Sequence, residues 1–304
     1  MARVRPHHPR AVALGQTVLH GSIVWSPSVS EPRQIDVHHL GNPLVICCFQ
    51  QDDVIVDPGP ESSHRTLLEA LEAPPQRILL THIHFDHAGA TGALVRRWPD
   101  VEVWVHERGA PHLIDPSRLT ASATRLYGDD MQRLWGEVVP VPEANVRIVT
   151  GGETIGPWRV EYTPGHASHH VSYLHEPTGT AFVGDVGGVR VEGGPIIPPT
   201  PPPDIDIELW HQSLETVAAW EPARLAITHF GAYDDVGDHL RTMHEALDRW
   251  AALALETDQQ SYAAAMVAEM ERAPDATATR AFLQAMPPDT LWPGLDRYWS
   301  KKNR

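Results

Sequence analysis

Cysteine is almost absent: only Cys47 and Cys48 occur in 304 residues, adjacent and inside the apolar stretch 43–49. Two neighbouring thiols exclude a disulfide framework and a cysteine-built zinc site, and a reducing, cytoplasmic setting is the expectation. Long apolar runs are missing too. Mean hydropathy is −0.28, and no segment approaches the roughly 18 consecutive apolar residues of a membrane helix, so no membrane partner is expected. Residues 1–10 carry arginines, but the Ala-Val-Ala-Leu-Gly-Gln that follows is too short and broken for a secretory core. Positive charge is scarce, with 24 basic against 39 acidic side chains and a formal charge of −15. Residues 241–304 are nearly neutral, with 8 basic and 9 acidic side chains, so the acidic excess lies in the first 240. Without a Lys/Arg stripe, nucleic acid is not an expected partner.

At about 150 residues per domain, the length suits one large domain or two small ones. Short β segments read at 22–25, 35–38, 43–49 and 54–57, the last two joined by a turn at 51–53 and leading into Asp57-Pro58-Gly59. Ser62 or Ser63 is placed to cap a helix through Leu67, Leu68 and Leu71, stopped by Pro74-Pro75. The apolar run 77–81 reads as a buried strand, which makes a strand-helix-strand unit. Further on, 89–98 reads as helix, 101–106 as strand and 147–161 as strands around Gly151-Gly152, followed by a hairpin of 173–174 with 180–183. The proline run 198–203 reads as polyproline II, ahead of a helix at 208–220 and a strand at 224–228. Beyond it the text turns Ala-rich and helical at 240–255, 260–271 and 279–285, with Pro287-Pro288 and Pro293 as breakers. This divides the chain into a domain at 1–239 and a helical extension at 240–304 packed on it. Leu119, Leu126, Tyr127, Met131, Leu134 and Trp135 recur at helical spacing within 115–142, which reads as core rather than lid.

What is abundant is histidine, 19 residues, a density that suggests metal or acid–base work. Immediately after the strand 77–81 comes His82-Ile83-His84-Phe85-Asp86-His87. A loop leaving a strand can point His82 and His84 to one side and Asp86 and His87 to a neighbouring point, giving two half-sites. Zinc takes about four N, S or O ligands, so more donors are required. Three later residues qualify, each after an apolar run: His166 in Thr-Pro-Gly-His, Asp185 in Phe-Val-Gly-Asp, and His229 in Ala-Ile-Thr-His-Phe-Gly. His169 and His170, just after His166, read as groups that pack against or orient the ligands and not as ligands. Cys47 and Cys48 read as structural, pointing to opposite faces of a strand. Gly89-Ala90-Thr91-Gly92 lacks the Gly-Lys-Ser/Thr ending of a phosphate loop.

With these blocks in this order from about Pro43 to Gly231, the chain resembles the metallo-β-lactamase-fold hydrolases, in their glyoxalase II-like branch. The resemblance implies an α/β (α+β) fold, a four-layer αββα sandwich with its site on one edge. It implies a first metal held by His82, His84 and His166, a second by Asp86, His87 and His229, and Asp185 between them with a bridging water or hydroxide. Asp57, in Val-Asp-Pro-Gly, would orient the His-Asp loop from behind the ligands. The cofactors implied are two Zn²⁺, with Mn²⁺ or Fe suiting the same donors, and Asp86 and Asp185 are the carboxylates at the reacting centre. Two dications with these two carboxylates and one hydroxide leave a net +1, suited to an anionic transition state.

Within that fold, the 43 residues between Asp185 and His229 leave little room for the inserted domain of the nucleases. The flavin-coupled diiron reductases replace the second loop histidine by glutamate, whereas His84 is present here. The glutathione pocket of glyoxalase II uses basic C-terminal residues, and Arg241, Arg249, Arg272 and Arg280 show no recognisable arrangement. Lactonases often carry a tyrosine soon after the bridging aspartate, where this chain has Val186-Gly187-Gly188; Tyr127 and Tyr233 are the substitutes available. The expectation is therefore a dinuclear metal hydrolase acting on an ester, thioester, lactone or phosphodiester of a small molecule. The alternative is a mononuclear-iron enzyme like the persulfide dioxygenases, which share the His-x-His-x-Asp-His loop. The sequence leaves room for a homo-oligomer.

Overall fold

The computed structural model describes residues 30–302 and, ahead of them, two paired strands, β1 (Val18–Leu19) and β2 (Ser22–Ile23). The expected strand at 22–25 thus has its first two residues in β2; its remainder, and the segment 1–10, lie outside the described residues.

Six strands form a first sheet in chain order: β3 (Arg33–Asp36), β4 (Cys47–Gln51), β5 (Val54–Val56), β6 (Arg77–Leu79), β7 (Glu102–His106) and β8 (Val146–Val149). The first three pair antiparallel, and β5 to β8 run parallel. The chain then supplies β9 (Thr154–Ile155), β10 (Trp158–Tyr162), β11 (Val171–His175), β12 (Thr180–Phe182), a separate hairpin β13 (Val189–Arg190) and β14 (Ile196–Ile197), then β15 (Arg224–Ile227) and β16 (Gly231–Tyr233). The second sheet has the order β16-β15-β12-β11-β10-β9, with β12 and β15 parallel. Helices α1 (His64–Ala70), α2 (Phe85–Ala88), α3 (Thr91–Arg97), α4 (Ala110–Ile114), α5 (Ser117–Tyr127) and α6 (Met131–Trp135) belong to the first half. Helices α7 (Ile207–Ala218), α8 (Val236–Glu256), α9 (Gln259–Met270), α10 (Ala276–Ala285) and α11 (Trp292–Lys302) belong to the second.

The period-two alternation of strands explains the layers. Cys47, Phe49, Val54, Val56, Leu79 and Trp104 of the first sheet meet Trp158, Val160, Val171, Tyr173, Phe182 and Ala226 of the second in a core between the sheets. Their neighbours Cys48, Ile55, Ile78 and Val103 face the other way, into a larger core shared with the helices. Leu174, Leu225 and Ile227 do the same from the second sheet, toward Trp210 and Leu214 of α7. This is the four-layer arrangement expected, and Cys47 and Cys48 take opposite faces. Met243, Trp250, Tyr262, Phe282 and Leu295 of the C-terminal helices join the same helix-side core, each such burial contributing about 1.5–3 kcal/mol.

Several local expectations need correction. Neither serine caps α1: the Ser62 hydroxyl donates to the Leu134 carbonyl at 2.6 Å, and Ser63 Oγ lies 3.4 Å from His39 Nδ1. The strand placed at 43–49 begins only at Cys47, because Leu44 takes a left-handed φ of 65°. The apolar positions of 115–135 are not core: Leu119, Tyr127, Met131, Leu134 and Trp135 are all partly exposed, and none of the described side chains of α5 and α6 is fully buried. Helix α11 is an element the sequence reading lacks. Pro293 reads as a breaker but sits in the first turn, where a missing N–H costs nothing.

Strands β5 and β6 run parallel in one sheet, and β10, β12 and β15 share a direction in the other. Their C-terminal ends open on one edge of the sandwich. Asp57 follows β5, residues 82–87 follow β6, His166 follows β10, Asp185 follows β12 and His229 follows β15.

Candidate metal centre

Asp57 organises this edge from behind. Fully buried, it accepts the Thr81 N–H at 2.8 Å, the Thr81 hydroxyl at 2.7 Å, the Thr228 hydroxyl at 2.8 Å and His87 Nδ1–H at 2.8 Å. One carboxylate thereby joins the ends of β6 and β15 to α2. It does so from a left-handed backbone, φ 49°. The turn carrying Asp185 approaches as closely as a chain can: a Cβ on Gly184 would lie 2.5 Å from Thr81 Oγ1.

The seven donor residues meet in two adjoining groups, His82, His84, His166 and Asp185 in one and Asp86, His87 and His229 in the other. In the first, His84 Nδ1 lies 2.9 Å from His82 Nε2 and 3.1 Å from His166 Nε2. In the second, Asp86 Oδ2 lies 3.4 Å from His229 Nε2 and 3.9 Å from His87 Nε2. Asp185 stands between them with one oxygen toward each. Its Oδ2 is 3.2 Å from His166 Nε2, and its Oδ1 is 3.2 Å from His87 Nε2 and 3.6 Å from His229 Nε2.

Hydrogen bonds on the far side of the rings fix which nitrogen faces inward. His166 Nδ1 meets the Pro199 carbonyl at 2.9 Å, His229 Nδ1 the Val45 carbonyl at 2.7 Å, and His87 Nδ1 the Asp57 carboxylate. A carbonyl or carboxylate only accepts, so each Nδ1 carries a proton and each Nε2 is the nitrogen turned to the centre. His87 Nε2 and Asp185 Oδ1 are buried without a hydrogen-bond partner. Two ligands on one zinc at about 2.0–2.1 Å lie roughly 3.3 Å apart in tetrahedral geometry, which these spacings approach. The donor set therefore fits divalent metal ions.

Electrostatics distinguishes the groups. Burial, with the imidazoles His87, His84 and His166, holds His82 well below its usual pKa. Burial and His166 push His84 down to about 4, and burial lowers His166. These three rings are neutral, the ligating form. For His87 burial opposes charging, yet Asp185, Asp57 and Asp86 outweigh it and raise the pKa; Asp185 and Asp86 do the same for His229. Burial disfavours ionised Asp86 and Asp185, but the imidazoles around them, His87 foremost, keep both carboxyls below the usual range. The second group is a place that favours positive charge.

His169 and His170 belong to neither group. Both stack on His82, with ring centres 6.1 and 5.1 Å away, and His170 Nδ1 pairs with Thr163 Oγ1 at 2.9 Å. The sequence reading missed Thr81 and Thr228, the hydroxyls that hold Asp57. Their signal was available as a Thr-His pair repeated in two blocks, Thr81-His82 and Thr228-His229.

Residues 40–229 match the family described as the metallo-beta-lactamase superfamily. The chain belongs to that superfamily. Among relatives it is similar to the metallo-beta-lactamase fold-containing protein ST1585 of Sulfurisphaera tokodaii, 29% identical over 66% of this chain and 77% of that one. The crystal structure of ST1585 superposes with a TM-score of 0.65 at 23% identity, covering 87% of this chain and 98% of that one, which shows the fold. A probable metallo-hydrolase of Bacillus subtilis, YqgX, is 35% identical over 45% of this chain and 63% of its own length. The hydroxyacylglutathione hydrolase of Cronobacter sakazakii is a more distant relative, 32% identical over 43% of this chain and 41% of its own. The chain thus spans less than two thirds of the length of these last two. Among the described residues of this superfamily member, no helix is long and apolar enough to cross a membrane.

Proposed function

We propose that this superfamily member is a metal-dependent hydrolase working with two zinc ions on a small-molecule ester, thioester, lactone or phosphodiester. The observation that carries the reading is the arrangement of seven inward-facing donors in two adjoining groups, with Asp185 offering one oxygen to each. His82, His84 and His166 would hold one ion, and Asp86, His87 and His229 the other. Two dications so held supply an acidified water as nucleophile and polarise the carbonyl or phosphoryl oxygen under attack. The chain's own part is to orient. Asp57 and the Pro199 and Val45 carbonyls lock three imidazoles in the ligating tautomer, and burial keeps bulk water off all but the His84 and Asp86 side. Asp86 is the less buried of the two carboxylates, so substrate enters beside it. Similarity to YqgX and to hydroxyacylglutathione hydrolases supports hydrolysis without choosing the leaving group. A cytoplasmic setting belongs to the same reading, supported by two buried free thiols.

Elemental analysis of protein purified without added metal tests this. We expect about two zinc ions per chain, and loss of turnover together with at least one ion in Asp185→Asn. One iron per chain would replace this reading with the mononuclear sulfur-oxidising one. Full activity of Asp185→Asn with both ions retained would remove Asp185 from the centre.

A further inference from the structure

The turn that carries Asp185 and the strand end that carries His229 are tied together at a residue outside both, Arg190. Its N–H donates to the His229 carbonyl at 2.6 Å, and its carbonyl accepts the Phe230 N–H at 3.0 Å. The Tyr233 hydroxyl reaches the Arg190 and Phe230 carbonyls, each at 2.7 Å. The Arg190 side chain then turns to the start of α8. Its two Nη atoms donate to the two Asp235 oxygens at 2.8 Å each, and Nη1 also lies 3.1 Å from His239 Nδ1.

Arginine only donates, so His239 Nδ1 is the accepting nitrogen and Nε2 carries the proton. That proton goes to the Gly187 carbonyl, 2.7 Å away. Gly187 ends the short turn Gly184–Gly187 that holds Asp185, and it packs on β15: a Cβ there would lie 2.5 Å from Ile227 Cγ2. Asp235 stands at the N-terminal cap of α8 without making a cap hydrogen bond, its carboxylate committed to Arg190. His239 is fully buried, and burial pushes its pKa down to about 4, so it stays a neutral donor.

We infer that Arg190, Asp235 and His239 are positioning residues of the metal centre, through which α8 sets the Asp185 turn against the His229 strand end and so the spacing of the second donor group. Asp185 is shared with the first group, but two of that group's imidazoles are held apart from this device, by Thr81 behind His82 and the Pro199 carbonyl behind His166, whereas His229 lies on the strand end that Arg190 grips, so the second group depends on it more. The inference rests on the two-ion reading above, and it assigns the start of α8 a role in metal binding.

Titration of metal-free protein with Co²⁺, followed by its visible absorption, tests it in wild type, His239→Leu, His239→Gln and Asp235→Asn. His229→Ala identifies the step that belongs to the second group. Leucine fills the space without a donor, whereas glutamine keeps an N–H at the reach of Nε2. We expect two steps in wild type and, in His239→Leu, a roughly 10–100-fold weakening of the second-group step with a clearly smaller change in the first, the usual scale for losing an orienting bond behind a ligand. His239→Gln should restore most of it, and Asp235→Asn should weaken the same step less. Both steps unchanged, both weakened alike, or a glutamine variant as weak as leucine would overturn the inference. If His239→Leu does not fold, Asp235→Asn decides, since its side chain is 46% exposed: selective weakening supports the inference and an unchanged titration overturns it. A single step in wild type would instead overturn the two-ion reading, and this inference with it.

Discussion

Asp57 shows how much of a metal centre can hang on a residue that touches no metal. Its carboxylate receives four hydrogen bonds from three segments with no exposure to solvent. Asp57→Ala leaves a backbone N–H, two hydroxyls and an imidazole N–H unpaired in a dry interior, at about 1–3 kcal/mol for each buried group. We expect a loss of roughly 3 kcal/mol or more in denaturant unfolding and a metal affinity about 10–100-fold lower by chelator competition. An Asp57→Ala protein with wild-type stability would contradict this. Asp57 was legible because it sits in a short block, Val-Asp-Pro-Gly. Arg190, Asp235 and His239 were not, because their role exists only once residues 45 and 49 positions apart are brought into contact. Histidine number also overstates the centre. His211 and His244 form a separate chain, Nδ1 to Nδ1 at 2.6 Å with Asp248 3.0 Å beyond, between α7 and α8.

At the scale of elements, α7 braces two loops at once. Trp210 sets its ring edge-on to His166, with centres 5.5 Å apart, and donates Nε1–H to the Val186 carbonyl at 3.0 Å. The loop of His166 passes beneath it at Gly165, where φ is 136° and a Cβ would lie 2.4 Å from Trp210 Cα. Gly165→Ala therefore has both a forbidden backbone and no room. We expect it to cost roughly 3 kcal/mol or more, read as a lowered unfolding midpoint, with His166 displaced and metal content reduced. Wild-type metal content in that variant would show that α7 can shift without moving the ligand. Central strands such as β5, β11 and β12 were legible as short apolar runs because both of their faces are covered, and the helices by their period. The bounds drifted where local chemistry decides them: the left-handed Leu44, the uncapped α1, and Pro293 inside a first turn. Segment 115–142 showed its helical period but not its surface position, since an apolar stripe does not say how deep it lies.

For the whole molecule, histidines outside the ligand set contribute to the response to acid: burial holds His169 and His170 well below their usual pKa, and His39 and His239 give the window. Burial lowers His39 and His239 to about 4. Unfolded, each titrates near 6.5, so between pH 6.5 and 4 the unfolded chain binds protons that the folded chain does not. Their contribution is complete above pH 6.5 and is lost as pH falls toward 4. Urea midpoints of metal-free protein should drop across that window, and a flat profile would contradict the burial of both rings. Protons compete for the ligand imidazoles over the same range, so metal release on acidification should accompany the drop.

Cys47 and Cys48 lie one peptide bond apart, yet one is sealed between the two sheets and the other between a sheet and the helices. A small alkylating reagent in mild denaturant meets each thiol only when its own layer parts. The order in which one short peptide gains its two labels, read by mass spectrometry, would tell whether this sandwich comes open down its middle or sheds its outer helices first.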